Sequence, residues 1–282
     1  MTSDVSVLLT GTTGYLGHEV AARLEALGIA FAGLGRAEGF DLGEPFSLEE
    51  VLDQVVEGLD APPLLIHLAA MSRMDECEAE PERAFRTNAE ATGVLASVLA
   101  RSRGRVVYVS TDLVFDGENA PYTDDDEPRP TSIYGKSKAE GERMVLADSS
   151  GLVIRIPLLF GPSFDGKRGA SDTVLAALGD ARELRLFTDE WRTPLSVREA
   201  AEQIVALALD STVTGIRHLP GPERLSRHEL GVRSAEEAGL DPGAILEASR
   251  LEMPGPRRPC DVSLATTMSD QEGNQQDDEE VG

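Results

Sequence analysis

Short apolar runs alternate with amphipathic helical patterns through the first 157 residues of the chain. The runs are rich in valine, leucine and isoleucine, like buried parallel strands, and predict strands at residues 5–10, 29–34, 64–68, 105–110 and 152–156. The intervening patterns predict helices at residues 15–27, 47–57, 81–102 and 134–146. Regular alternation of strand and helix predicts the α/β class, with a Rossmann-type doubly wound parallel sheet.

The alternation becomes less regular after Pro157. A glycine-rich segment at residues 161–169 precedes a predicted helix near residues 172–178 and a short strand at 184–187. Further elements are predicted at residues 198–209, which form a strongly amphipathic helix, and at residues 216–219, which form a strand.

Two capping boxes predict where helices begin. In this motif a serine and a glutamate three residues later satisfy each other's free backbone N–H groups. Ser47 with Glu50 predicts one helix start, and Ser226 with Glu229 predicts another.

These elements divide the chain into three regions. We predict a dinucleotide-binding core at residues 1–157, with residues 188–212 packing back onto it. Residues 158–187 and 213–266 are predicted to form a small C-terminal substrate-binding lobe. Residues 267–282 are polar, acidic and free of aromatic side chains, so we predict a disordered tail.

The charge balance is strongly acidic. Fifty acidic residues against 26 basic ones give a formal net charge of −24, which argues against a nucleic-acid-binding surface. The lysines are Lys136, Lys138 and Lys167, so the other 23 of the 26 basic residues are arginines. An acidic shell poor in lysine fits adaptation to high salt, but a solvated acidic face with an acidic tail explains the balance equally well.

Several other classes of protein have little support. The longest apolar runs are too short to span a bilayer, and the N-terminal residues lack the pattern of a signal peptide, so we expect a cytoplasmic protein without a membrane partner. Cys77 and Cys260 make no disulfide framework. The histidines are scattered without ligand spacing, so no metal site is expected.

A glycine-rich turn joins the first predicted strand to the first predicted helix, at residues 10–17 (TGTTGYLG). Glycines permit a tight turn and let a pyrophosphate approach the backbone, and the helix N-terminus offers it free N–H groups. A simple glycine turn is the alternative, but the position at the start of a βαβ unit favours a dinucleotide site. Arg36 after the second strand favours NADP, with NAD possible, unless Arg36 only faces solvent. Asp41 and Leu42 follow on a loop that could reach the adenine.

Tyr134 and Lys138 are four residues apart and therefore share one face of a predicted helix. A cation beside a phenol lowers the phenol's pKa, which predicts that Tyr134 exchanges protons near neutrality. A solvated helix face is the alternative, although two of the three lysines lie within these five residues. Thr111, at the end of the fourth predicted strand, can donate a hydrogen bond to a reacting carbonyl oxygen. A threonine that merely caps a turn is the alternative.

The chain resembles the extended short-chain dehydrogenases and, within them, the dTDP-4-dehydrorhamnose reductase family. The likeness covers roughly residues 5–265 and rests on several separated motifs. They are the turn at 10–17, DECEAEPERA at 75–84 with Asn88, STDLVFDG at 110–117, Tyr122, EP at 127–128, YGKSKAEGE at 134–142, RIP at 155–157, FG at 160–161 and RPCDVSL at 258–264.

The resemblance implies reduction of the C4 ketone of a nucleotide-linked 4-keto-6-deoxy sugar by NADPH. It assigns catalysis to Thr111, Tyr134 and Lys138, with Asn88 supporting a proton relay. The residues expected at the cofactor are Gly11, Thr13, Gly14, Tyr15, Leu16, Arg36, Asp41, Leu42, Leu68, Ala69, Ala70, Asn88, Ser110, Tyr134, Lys138 and Pro157. Those expected at the substrate are Met71, Thr111, Asp112, Trp191, Arg192 and Arg258.

One departure and two alternatives accompany this resemblance. Leu113 stands where the sugar dehydratases of the superfamily carry a catalytic glutamate, which argues against a dehydratase. The motifs also resemble the regulatory β subunit of methionine adenosyltransferase, so an interaction protein without sugar turnover is one alternative. A nucleotide-sugar epimerase using the same tyrosine is another. A homodimer is compatible with each.

Overall fold

The computed structural model describes residues 6–252 and 255–267. The strands are β1 (Ser6–Thr10), β2 (Phe31–Leu34), β3 (Pro63–His67), β4 (Arg105–Thr111), β5 (Leu152–Ile156), β6 (Leu159–Phe160), β7 (Leu184–Phe187), β8 (Trp191–Arg192), β9 (Leu195–Ser196), β10 (Gly215–His218), β11 (Leu225–Ser226) and β12 (Ile245–Ala248). The helices are α1 (Tyr15–Ala26), α2 (Pro45–Glu57), α3 (Met74–Ala79), α4 (Pro81–Phe85), α5 (Ala91–Arg101), α6 (Ile133–Val145), α7 (Ala170–Gly179), α8 (Val197–Leu209) and α9 (Arg227–Glu237).

A six-stranded parallel sheet forms the centre of the described chain, in the order β10-β5-β4-β3-β1-β2. The chain adds β2 on one side of β1 and β3 on the other. Ligands of such sheets bind in the crevice that this reversal opens at the carboxyl ends of the strands. The predicted α/β class and doubly wound parallel sheet are confirmed, and the crevice is the expected place for a site.

Both faces of the sheet are covered, because alternate residues of each buried strand point to opposite sides. Leu9 and Ile66 pack with Val20 of α1 and Ile204 of α8 on one face. The other face carries a second core, built from Leu8, Leu65, Tyr108 and Val153 of the strands with Leu48, Leu52, Leu95 and Leu99 of the helices. Each such side chain contributes about 1.5–3 kcal/mol by leaving water. These two layers hold the strand ends of the site rigid.

The capping boxes have different outcomes. Ser226 accepts from the Glu229 N–H at 3.1 Å while the Glu229 carboxylate accepts from the Ser226 N–H at 2.8 Å, so the second box is confirmed. The first is wrong: α2 begins at Pro45, and the Ser47 hydroxyl donates to the Glu44 carbonyl at 3.0 Å. Proline is favoured at the first helical position because its fixed φ suits the helix and its missing N–H costs nothing there.

Two further predictions need correction in detail. The strand expected at 216–219 is β10, which pairs with β5 as the edge of the central sheet and does not belong to the lobe assigned to residues 213–266. The helix expected at 81–102 begins at Pro81, but a π-helical turn, Arg86–Glu90, separates α4 from α5. The rest of the division into core and lobe stays a prediction.

The predicted tail at 267–282 lies outside the described residues except for Thr267. Within the described ranges, the helices are too short or too polar to cross a membrane.

Candidate active site

The glycine turn between β1 and α1 requires its glycines. Gly11 has a φ of +75°, and a Cβ there would come within 2.9 Å of the Ala69 nitrogen. A Cβ on Gly17 would lie 1.9 Å from the Gly11 carbonyl oxygen, so α1 packs directly on the turn. Gly14 caps α1 without a side chain, which leaves first-turn N–H groups for another partner. This backbone cradle fits a pyrophosphate group.

Thr10 ties the turn to the segment after β3. Its Oγ1 accepts from the backbone N–H groups of Leu68 and Ala69 at 3.1 and 3.2 Å, and it lies 2.7 Å from His67 Nδ1. The Thr92 hydroxyl donates to the Asn88 carbonyl, so His67 Nε2 is the donor to Thr92 Oγ1 at 3.2 Å. Burial, and secondly the charge of Lys138, lowers the pKa of His67 to about 3. A neutral histidine therefore fixes residues 68–70 beside the turn.

The predicted adenine side of the crevice is more open. Arg36 is exposed in a short 3-10 helix, Arg36–Glu38, directly after β2. Asp41 accepts from the Gly43 N–H at 2.9 Å and shapes the next turn, whereas Leu42 is buried in the second core. The structure thus leaves Arg36 free to meet a ligand in solvent.

The structure brings Thr111 and Tyr134 together at the carboxyl end of β4. Ser132 caps α6 by accepting from the Gly135 N–H at 3.1 Å, and a Cβ on Gly135 would lie 2.2 Å from the Leu113 carbonyl oxygen. This close approach seats the first turn of α6 against the end of β4, so that the Tyr134 phenol lies near Thr111 and Asp112. Burial, and then the charge of Asp112, raises the pKa of Tyr134 well above its usual range.

The Lys138 side chain reaches from α6 to β4. Its Nζ donates to the Val109 carbonyl at 2.8 Å and lies 3.8 Å from the centre of the Tyr108 ring. Burial lowers the pKa of Lys138 to about 7, opposed by the nearby Glu142 carboxylate. The expectation that Lys138 lowers the pKa of Tyr134 is wrong for this structure, because burial and Asp112 dominate the phenol and raise its pKa.

A buried ion pair behind these residues was not predicted. Arg155 is fully buried, and its Nη2 lies 2.8 Å from the Glu142 carboxylate. The same carboxylate accepts a hydrogen bond from the Ser110 hydroxyl. Glu142 follows Lys138 by one helical turn, so this pair fixes α6 against β4 and β5. No local pattern could signal this pair, because Glu142 and Arg155 are 13 positions apart and belong to different elements.

Asn88 lies in the π-helical turn and is occupied by the protein itself. Its Oδ1 accepts from the Met71 N–H at 2.8 Å, and its Nδ2 donates to the Met71 carbonyl and the Ser137 hydroxyl, each at 3.0 Å. Both amide hydrogens are therefore used to fasten the segment after β3 to α6. A direct contact of Asn88 with the cofactor stays a prediction.

Charged residues on the predicted substrate side form one chain of ion pairs. Asp112 accepts from Arg192 Nη1 at 2.7 and 2.9 Å, and Arg192 Nη2 donates to Glu190 at 3.1 Å. Arg258 reaches Glu190 at 3.3 Å. Arg192 Nε is buried without a hydrogen-bond partner in the described part of the chain. Asp112, Arg192 and Arg258 are thus brought together next to Thr111.

The remaining predicted residues have mixed placements. Trp191 lies under the Arg224 guanidinium, 3.9 Å from the ring centre, and its backbone pairs with Cys260, outside the chain of charges. Met71 packs in a small cluster with Tyr134, and Pro157 is buried after β5.

A segment in which the sequence predicted no site residue lies against the glycine turn. We call residues 161–169 the strap. The Tyr15 hydroxyl donates to the Gly161 carbonyl at 2.7 Å, and Arg168 Nη1 donates to the Thr13 carbonyl at 2.7 Å. These contacts join residues 146 and 155 positions apart, which explains why no local pattern announced them.

The chain is similar to several known proteins. The model of the RmlD substrate binding domain family matches residues 5–279. Methionine adenosyltransferase 2 subunit beta of Rattus norvegicus is 30% identical over 267 residues, covering 92% of this chain and 79% of that protein. The probable low-salt glycan biosynthesis reductase Agl14 of Haloferax volcanii is 33% identical over 269 residues, covering 90% and 89%.

A solved structure shows the same fold. The dTDP-4-dehydrorhamnose reductase of Bacillus anthracis, solved in complex with NADP, superposes with a TM-score of 0.84 over 95% of this chain and 91% of that chain. The two sequences are 23% identical.

Proposed function

Because the chain belongs to the RmlD substrate binding domain family, within the extended short-chain dehydrogenases, we propose that it reduces a keto group with NADPH. The proposed substrate is a nucleotide-linked 4-keto-6-deoxy sugar. The observation that carries the proposal is that Tyr134, on the first turn of α6, lies near Thr111 at the carboxyl end of β4.

The residues around the crevice fit a dinucleotide. The uncapped first turn of α1 and the glycines at 11 and 14 would hold the diphosphate, and Arg36 would meet a 2′-phosphate. Leu68 to Ala70, fixed by Thr10, would form the wall beside it. A bound nicotinamide supplies the hydride that reduces the carbonyl carbon.

Two hydroxyl groups would donate to the carbonyl oxygen of the substrate. Thr111 would turn its proton from Asp112 to the oxygen and share the charge that develops there. Tyr134 would donate the proton that completes the alcohol. The raised pKa of Tyr134 keeps the phenol protonated at neutral pH, which is the state that a reductase needs at the start of turnover.

Lys138 would help to return a proton to Tyr134 after this transfer. Its pKa of about 7 lets the amine gain or lose a proton near neutrality, so it can take part in returning a proton to Tyr134. The Val109 carbonyl and the Tyr108 ring hold it in place on the same face of α6.

The buried charges support an anionic substrate. Asp112 and Glu190 face Arg192 and Arg258, and Arg192 keeps an unpartnered N–H in this region. A guanidinium suits the phosphate oxygens of a nucleotide-linked sugar because it presents donors in a planar fork. These arginines would orient the nucleotide while the sugar carbonyl lies at Thr111.

A panel of nucleotide-linked ketosugars, followed by loss of NADPH absorbance, tests this proposal. We expect ketosugar-dependent oxidation by the wild-type chain and none with matched sugars that lack the ketone. Net consumption of NADPH separates a reductase from an epimerase, which returns the hydride to the sugar.

A second function is favoured by one observation, the 30% identity to methionine adenosyltransferase 2 subunit beta over 92% of this chain. A non-catalytic regulatory subunit would form a stable complex with a methionine adenosyltransferase and would oxidise no NADPH with any ketosugar. Co-purification with that enzyme, combined with the same sugar panel, distinguishes the two functions.

A further inference from the structure

We infer that Arg168, on the strap, binds the diphosphate of the dinucleotide. The inference rests on the proposed function, because it concerns the cofactor of that reaction. It adds a binding residue that lies in the chain beyond β5 and outside the glycine turn.

Arg168 contacts the glycine turn and keeps one guanidinium nitrogen, Nη2, available for a ligand. Its Nη1 donates to the carbonyl of Thr13, between Gly11 and Gly14, and its Nε pairs with Asp165 at 3.0 Å. Its Nη2 has no hydrogen-bond partner among residues 6–252 and 255–267. A guanidinium beside an anion-binding turn can donate charge-assisted hydrogen bonds to a phosphate that also accepts from the backbone N–H groups of the turn.

Contacts of the strap fix the position of Arg168 before a ligand binds. The buried Asp172 carboxylate accepts from the Arg168 N–H at 2.9 Å and from the Ser163 N–H at 3.2 Å. At the end of the strap, Gly169 lies so close to the Tyr15 ring that a Cβ would come within 2.8 Å. Both ends are therefore tied beside the turn, which reduces the entropy that Arg168 loses on meeting a ligand.

The charge of the chain makes such a residue useful. A protein with a formal net charge of −24 repels a dinucleotide unless positive groups offset the field locally. Lys167 precedes Arg168 on the strap, and the other two lysines, Lys136 and Lys138, are on α6.

Affinities for NADPH and NADH, measured separately, test the inference. Arg168→Gln should weaken binding of both by a similar factor, about 10- to 100-fold, because both carry the diphosphate. Arg36→Gln should weaken NADPH alone, since only NADPH has the 2′-phosphate. Arg182→Gln, at an exposed arginine paired with Asp180, is the matched control and should change neither.

Titration of the full chain by NADPH and NADH fluorescence gives the dissociation constants without turnover, and an unchanged thermal unfolding midpoint shows that each variant is folded. Equal binding by wild type and Arg168→Gln overturns the inference alone, as does a loss confined to NADPH. A wild-type chain that binds neither dinucleotide overturns the proposed function and this inference together.

Discussion

Replacing Arg155 by methionine should strongly destabilise the protein, because the substitution breaks a buried ion pair with Glu142. The guanidinium donates to Glu142 through Nε at 3.1 and 3.2 Å and through Nη2 at 2.8 Å, while Nη1 reaches the Asp126 carbonyl at 3.3 Å. Both partners are buried, with side-chain exposures of 0% and 3%. Methionine fills much of the volume but leaves the Glu142 carboxylate with the Ser110 hydroxyl as its remaining side-chain donor in the described chain.

Breaking a buried ion pair from one side costs about 3–5 kcal/mol, because a buried charge loses its partner. Since a domain of this kind is stable by only about 5–15 kcal/mol, the variant should lose roughly a fifth or more of its stability. Equilibrium unfolding in urea, followed by the fluorescence of the single tryptophan, Trp191, measures the change.

Two controls identify the cause. Arg83→Met removes an exposed pair with Glu80, whose side chains are 57% and 51% exposed, and should cost about 0–1 kcal/mol. The double variant Arg155→Met with Glu142→Met removes both charges and should recover most of the loss. A cost for Arg155→Met no larger than that of Arg83→Met, or no recovery in the double variant, would refute this reasoning.

Three further predictions follow from the site. Lys138→Met should abolish ketosugar reduction yet raise the free energy of unfolding at pH 7 by roughly 2–4 kcal/mol. The reason is that it removes a buried amine whose pKa is lowered from 10.5 to about 7 on folding. Urea unfolding at a series of pH values should show this gain in stability decreasing as the pH rises towards 10.5. Gly135→Ala should lower kcat by about 100-fold by displacing Tyr134, whereas Gly179→Ala, which meets nothing within 4 Å, should leave kcat unchanged. His67 is depressed from a pKa of 6.5 to about 3, so the unfolded chain binds the extra proton and stability falls on acidification by about 2 kcal/mol between pH 6.5 and 5; His67→Gln should flatten this part of the curve.

The sequence was sufficient for the features that depend on neighbouring residues. The buried strands appear as apolar runs, and the periodic helices between them predict a parallel sheet. Tyr134 and Lys138 share a helix, and Thr111 ends the strand before it, so their placement near one another follows from the order of elements. The capping box at Ser226 was likewise a local signal.

The features that were missed depend on contacts between distant segments. The pairing of β10 with β5 makes residues 215–218 a strand of the central sheet, although their sequence looks like part of the lobe. The pKa of Tyr134 depends on burial and on Asp112, whose partner Arg192 is 80 positions away. Hydrophobic periodicity carries no information about such contacts. The expectation based on the spacing of Tyr134 and Lys138 therefore gave the wrong direction for the pKa shift of the phenol.

Turnover and cofactor affinity of Tyr134→Phe measure the central claim most directly. Phenylalanine keeps the ring that packs with Met71 and removes only the hydroxyl, so NADPH should bind with nearly the wild-type dissociation constant while ketosugar-dependent oxidation falls by at least about 100-fold. Wild-type turnover by this variant would contradict the account, because the proton on the new alcohol would then come from another group.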